Sequence, residues 1–218
     1  MPFFAFEGLS CSGKTTLISK LVKVLENKDV CVTSEPYDDK YASGENIRRV
    51  LNAGELSINS PVLTDMILTN KALHFEEVIA PALKANKIVL CDRWIASTFV
   101  YQHPEEKSYI FEEKIRSFVR NLKLKFKVNP TPDVTFFLDI TKSAMEERLT
   151  KRSLFYSSKD WVNWNNFDDL RKRYLHFGMF NTSFKSLSSD LPLGDLVSKT
   201  LEEINTTLAS SLALGRHM

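Results

Sequence analysis

The sequence predicts an α/β fold of three layers, a five-stranded parallel sheet flanked by helices on both faces. Three observations predict it. Short, continuous apolar runs recur along the chain, as strands buried on both sides require. Amphipathic helical patterns separate those runs. Residues able to grip phosphate stand just past the runs, and in such sheets ligands bind at the carboxyl ends of the strands.

In chain order, Phe3 to Phe6 is an apolar run that enters a turn at Gly8, so it reads as a buried strand. Beyond the turn, Leu17, Ile18, Leu21, Val22 and Leu25 recur at three- and four-residue intervals, one face of a helix from about Lys14 to Glu26. Val30 to Thr33 is a β-branched second run, stopped by Glu35-Pro36, because proline biases the residue before it toward an extended backbone. Helical patterns follow at Gly44 to Asn52 and Pro61 to Lys84. A third strand, Lys87 to Cys91, runs into Asp92-Arg93. After a helix at Phe111 to Lys125, the fourth strand, Val134 to Leu138, ends at Asp139. The pattern from Ser143 to Arg152 is helical, and Ser153 to Trp164, broken by serines, lysine and two tryptophans, reads as a mobile loop. A helix at Asn166 to Phe177, a thin apolar run at Thr182 to Leu187 and a last helix at Asp195 to Leu212 complete the order.

At 218 residues, 43% of them hydrophobic, the chain can bury one good core but is short for two, so 1–218 reads as a single domain. A formal charge of +2 lacks the uniform basic field of a protein that coats nucleic acid, and small-molecule partners are expected instead. The opening apolar run is too short to span a bilayer and no basic stretch precedes it, so no membrane partner is expected and the location is expected to be cytoplasmic. Cys11, Cys31 and Cys91 are odd in number and widely spaced, which suits neither a disulfide framework nor a zinc site.

The chemistry concentrates in four places. Gly8-Leu9-Ser10-Cys11-Ser12-Gly13-Lys14-Thr15 satisfies G-x-x-x-x-G-K-[ST], between a strand and a helix. This is a P-loop: glycines let the backbone fold around phosphate oxygens with its N–H groups inward, at a helix start whose dipole favours negative charge. Gly8, Ser10, Cys11, Ser12, Gly13, Lys14, Thr15 and Thr16 are therefore the expected ATP-binding set, with Lys14 reaching the β and γ phosphates. Mg²⁺ is the expected cofactor, held by the Thr15 hydroxyl and by Asp92, while Arg93 is a bidentate clamp for a second phosphate. Arg148, Lys151 and Arg152 share a helix face before the Ser153 loop, which makes 148–164 a lid whose arginines swing over a transferring phosphoryl group. Glu35 at a strand end and Arg48 on the next helix are the remaining candidates.

Together these residues resemble the thymidylate kinase family from about Phe3 to Asp190. Phe6-Glu7-Gly8 through Leu17 is similar to its opening P-loop, and Thr33-Ser34-Glu35-Pro36 to its T-R-E-P segment. Asp92-Arg93-Trp94 through Tyr101-Gln102 is similar to D-R-Y-x-x-S-x-x-A-Y-Q, the most specific match. The resemblance implies transfer of the ATP γ-phosphate to dTMP in a P-loop NTPase-type fold, by a homodimer. It also implies that Arg48 and Arg93 hold the acceptor phosphate and that Ser97, Tyr101 and Gln102 line the nucleoside pocket, Asn70 and Lys71 falling on a base-contacting stretch. Lys71 stands where the family has Arg, Ile67 where an aromatic stacks on thymine, and Ser10 where Asp or Glu is usual. Cys11 replaces a loop Arg found in some members, so the transition-state cation is expected from the lid, with Lys151, Arg152 and Lys159 as candidates. The expected catalytic set is Lys14, Arg93, Arg148 and Arg152.

Two other activities share the P-loop. A deoxynucleoside kinase, or a kinase of another deoxynucleoside monophosphate, differs in its acceptor; for a neutral 5′-hydroxyl Glu35 would serve as general base. A P-loop switch or binding protein is disfavoured because Asn70-Lys71 runs into Ala72-Leu73 instead of an N-K-x-D motif. His74 and His176 read as ordinary helix residues, the basic run Lys114 to Lys127 as a solvated face, and Trp161 and Trp164 as packing under the lid.

Overall fold

The computed structural model describes residues 1–38, 42–53, 60–102, 108–151, 164–179 and 181–215. Strands β1 (Phe3–Glu7), β2 (Val30–Ser34), β3 (Ile88–Asp92), β4 (Val134–Asp139) and β5 (Phe184–Ser188) form one parallel sheet in the order β2-β3-β1-β4-β5. The helices are α1 (Lys14–Val24), α2 (Ser43–Ala53), α3 (Pro61–His74), α4 (Ala80–Lys84), α5 (Ile95–Gln102), α6 (Ser108–Phe126), α7 (Lys142–Lys151), α8 (Phe167–Met179) and α9 (Leu193–Gly215). A π-helical turn, Phe75–Ile79, joins α3 to α4.

Alternation along the strands explains the layers. Phe4, Phe6, Leu90, Phe136 and Leu138 point to one face and pack with Leu17 and Leu21 of α1 and Ile204 of α9. Phe3, Ala5, Val89 and Cys91 point to the other and meet Phe75, Ile79, Trp94 and Leu122. Phe4, Phe6 and Phe136 are fully buried, each worth about 1.5–3 kcal/mol relative to exposure. A third cluster lies between α5, α7 and α8, where Phe137 stacks on Tyr174 at 4.8 Å.

All five predicted strands form, each within a residue or two of its predicted bounds. β5 is thin in apolar residues because it is an edge strand, with one neighbour in the sheet among the described residues. The apolar pattern of the sequence does not predict α5. Ala96, Ser97, Thr98, Val100, Tyr101 and Gln102 are all buried, so it has no polar stripe from which a helical period could be read. Most of the predicted lid, including Arg152, Lys159 and Trp161, lies outside the described residues, while Trp164 stands 4.9 Å from the Lys142 ammonium. Among the described residues no helix is long and apolar enough to cross a membrane.

The register sets up the site. Phe6, Ser34 and Asp92 are level across β1, β2 and β3, and Asp139 is level with Ser188. Glu7, Ser34, Asp92 and Asp139 therefore end their strands along one edge, and the loops that follow open there.

Candidate active site

The loop after β1 is shaped by two glycines. Gly8 has φ +145°, and a Cβ there would lie 2.8 Å from both the Leu138 carbonyl oxygen and Ser12 Oγ, so no other residue fits without displacement. Gly13, at φ 90°, begins α1 in the left-handed region, and Cys11 shares that region at φ 60°. Ser10, Cys11 and Ser12 are buried with the loop, while Thr16 opens onto the surrounding recess. Lys14 is buried and folds back over the loop, donating to the Gly8 and Leu9 carbonyls at 3.2 and 3.0 Å and to Ser12 Oγ at 3.2 Å. Its ammonium thus stands inside the loop with oxygen acceptors that phosphate oxygens can replace. At the start of α1, Thr15 Oγ1 donates to Asp92 Oδ2 at 2.9 Å.

A recess of about 420 Å³ extends from this loop past Thr16, Arg148, Ser189 and Leu191. Arg148 does not hang free over it. Its guanidinium donates to the Cys11 carbonyl at 3.1 Å, to Ser189 Oγ at 2.8 Å and to the Ser189 carbonyl at 2.7 Å. Three bonds to two loops hold Arg148 as a wall of the recess in this structure. Lys151 also lines the recess, its side chain largely exposed and paired with Glu147 at 2.5 Å.

A second recess lies across the strand edge. Glu35, Ile67, Asn70, Lys71, Arg93, Ser97, Tyr101 and Gln102, all expected on the acceptor side, line it together with Pro36, Ile47, Leu51 and Thr98. Arg93 takes φ 75° immediately after Asp92, which turns its side chain from the strand edge toward this recess. Its Nη1 donates to Ser97 Oγ at 2.9 Å and Tyr174 OH at 3.4 Å, and the guanidinium lies 5.6 Å from the Tyr101 ring centre. Burial opposes its charge, yet the neighbouring Tyr101, Tyr174, Asp92 and Glu7 raise its pKa above the ordinary arginine value, so it is a permanent cation.

Underneath is Glu7, fully buried at the end of β1. Its carboxylate accepts from Trp94 N at 2.7 Å, Ser97 N at 3.1 Å, Ser97 Oγ at 2.5 Å and Tyr174 OH at 3.3 Å. It satisfies free N–H groups at the start of α5 and places a negative charge where the helix dipole favours one. Through Ser97 it also fixes the group that holds Arg93. The sequence pattern leaves Glu7 outside the candidate set; its signal is a carboxylate set between the apolar run Phe3 to Phe6 and the turn at Gly8.

A family model described as thymidylate kinase matches residues 6–200. The chain belongs to the thymidylate kinase family. Two curated relatives agree with this. A thymidylate kinase of Mycoplasmopsis agalactiae is 40% identical over 151 residues, covering 67% of each chain. Another, of Mesomycoplasma hyopneumoniae, is 37% identical over 157 residues, covering 67% of this chain and 69% of that one. The enzyme is therefore an ATP-dependent phosphotransferase.

The geometry separates this kinase's acceptor-side residues into two groups. Arg48 does not line the recess; its guanidinium pairs with Asp38 and donates to the Pro36 carbonyl at 2.5 Å. Asn70 lines it, but its amide clamps the connection after β2: Oδ1 accepts from Tyr37 N, and Nδ2 donates to Tyr37 O and Ser43 Oγ, each at 2.8 Å. Lys71 is buried, with its ammonium 3.2 Å from Glu35 Oε2 and 5.0 Å from the Trp94 ring centre. The other Glu35 oxygen meets His74 Nδ1 at 2.5 Å, and His74 Nε2 meets Thr33 Oγ1 at 2.6 Å. His74 is thus a core residue with both ring nitrogens engaged, stacked on Tyr37 at 4.7 Å. Thr98, which sequence reasoning passed over, is buried and lines the recess, and its Oγ1 has no hydrogen-bond partner among the described residues.

Proposed function

We propose that the two recesses hold the two substrates of one direct phosphoryl transfer, the P-loop side taking ATP and the Arg93 side taking dTMP. The chain phosphorylates dTMP with ATP, the reaction of its family, giving dTDP and ADP. One observation carries the assignment of sites: neighbours in sequence, Asp92 reaches Thr15 beside the P-loop while Arg93 reaches Ser97 on the other side.

In this reading Lys14 releases its loop acceptors to meet the β and γ phosphates, and the loop N–H groups share their charge. Arg93 grips the acceptor phosphate, held by Ser97, Glu7 and Tyr174 so that little reorganisation is left for the reaction. An oxygen of that phosphate attacks the γ-phosphorus in line, the bond to the β–γ bridging oxygen breaks, and ADP leaves with that oxygen. No side chain is phosphorylated. The Thr15 hydroxyl and Asp92 carboxylate are hard oxygen donors 2.9 Å apart, which suits Mg²⁺, an ion that keeps several waters and phosphate oxygens in its shell. Mg²⁺ held there supplies positive charge beside the transferring group. Ile47, Leu51 and Ile67 form an apolar wall for the base. Arg152 of the lid completes the proposed cationic set.

A homodimer in the cytoplasm belongs to the same proposal. Val62 on α3 and Ile110 on α6 are exposed apolar side chains on helices joined by an Asp65–Lys114 ion pair, which supports an apolar contact there. The deoxynucleoside kinase rival asks Glu35 to take a proton from a hydroxyl. Its two oxygens are already engaged by Lys71 and His74, which does not favour that role.

An ADP-release assay with ATP, Mg²⁺ and a panel of dTMP, dUMP, dCMP, dGMP, dAMP and thymidine tests the reading. The highest kcat/KM belongs to dTMP; turnover with thymidine alone would overturn it.

A further inference from the structure

We infer that Ser189, just past the end of β5, is a positioning residue for the donor phosphates, an inference that rests on the assignment of the P-loop recess to ATP. Ser189 is buried and bonded on three sides. Its N–H donates to the Asp139 carbonyl at 2.8 Å, which fixes it to the end of β4. Its hydroxyl accepts from Arg148 Nη1 at 2.8 Å and donates to the Ser12 carbonyl at 2.6 Å. Arg148 in turn holds the Cys11 carbonyl at 3.1 Å. Two successive P-loop carbonyls are thereby drawn to the Ser189–Arg148 side.

The consequence follows from the planar trans peptide, in which C=O and N–H point in opposite directions. A Ser12 carbonyl held toward Ser189 sends the Gly13 N–H the other way. A peptide that flipped would present a carbonyl oxygen to the phosphates in place of a donor, replacing attraction by repulsion. This loop is prone to such a flip, because Cys11 and Gly13 both sit in the left-handed region, at φ 60° and 90°. Ser189 is suited to prevent it, since one small hydroxyl accepts from the arginine while donating to the carbonyl. Arg148 alone cannot do so: the Ser12 carbonyl receives its bond from Ser189.

The test is steady-state kinetics of Ser189→Ala, varying ATP at saturating dTMP and dTMP at saturating ATP. The KM for ATP is expected to rise about tenfold, the effect of losing one well-placed hydrogen bond, with the KM for dTMP within about twofold of wild type. Ser189→Thr and Ser189→Val, matched in shape, read the hydroxyl alone even where the alanine variant does not accumulate. Threonine should restore most of the ATP affinity and valine should not. An unchanged KM for ATP, equal losses on both substrates, or equal behaviour of threonine and valine would overturn the role of Ser189. A wild-type protein that does not turn over with ATP would instead sink the site assignment on which it rests.

Discussion

Thr15 and Asp92 stand 77 residues apart in the chain, yet the hydroxyl of one donates to the carboxylate of the other at 2.9 Å. The parallel pairing of β1 and β3 brings this about. Asp92 lies level with Phe6, so the end of β3 faces the loop that β1 feeds into α1. Whatever binds the P-loop phosphates is then within reach of a carboxylate on one side and, one residue further, of Arg93 on the other.

Thr15→Val keeps the side-chain shape and removes the hydroxyl. The pair is solvent-exposed, so stability should change by less than about 1 kcal/mol. Turnover should nevertheless fall by about 10²-fold or more if the hydroxyl helps place charge at the transferring group. Thermal melting and kcat measured on the same sample separate the two effects, and near-normal kcat would contradict the role.

Arg93→Lys retains the charge and loses the planar fork. Its KM for dTMP should rise by roughly 10- to 100-fold while the KM for ATP stays near wild type. The same factor on both substrates would mean that Arg93 supports the fold and does not grip the acceptor.

Glu35 and Lys71 form a buried ion pair, their side chains 5% and 2% exposed. Glu35→Gln leaves the ammonium without a counter-charge and should cost about 3–5 kcal/mol, read from the urea midpoint. Lys71→Met on that background should recover part of the loss, because the uncompensated charge is then removed. A single-variant cost below about 1 kcal/mol would refute the pairing.

Cys91 and Tyr174 contribute to a loss of stability at alkaline pH. Burial, then the Glu35 charge, raises the Cys91 pKa well above its ordinary 9.0, and burial with Glu7 and Tyr101 raises Tyr174 well above 10.0 despite the nearby Arg93. The folded protein keeps protons that the unfolded chain releases near those ordinary values, so it binds more protons than the unfolded state and stability falls as pH rises. Unfolding free energy should be insensitive to these groups up to about pH 8 and decline from about pH 9 upward. Cys91→Ala and Tyr174→Phe should each make that decline shallower, and identical slopes in the variants would contradict this origin.

What the sequence revealed and what it hid follow one division. The strands were legible because residues such as Phe4, Phe6 and Leu90 are buried on a sheet covered on both faces and form continuous runs. The P-loop and Asp92-Arg93 were legible because their chemistry demands particular residues at short, fixed spacing. α5 was hidden by its own burial, which erases the helical period. Glu7, Thr98 and Ser189 were hidden for another reason. Their meaning lies in partners or in the lack of one: Glu7 binds Ser97 and Tyr174, 90 and 167 residues away, and Ser189 binds Ser12, 177 away. Arg48 and Asn70, which the family resemblance places on the acceptor side, have protein partners in this structure, the Pro36 carbonyl for one and Tyr37 for the other.

The most direct test of the central claim is a single turnover with γ-labelled ATP, Mg²⁺ and dTMP, quenched and separated by product. Direct transfer between two adjacent sites predicts label in dTDP, formed one for one with ADP and never bound to protein. Label appearing first on the protein, or only as free phosphate while dTMP is unchanged, would contradict it.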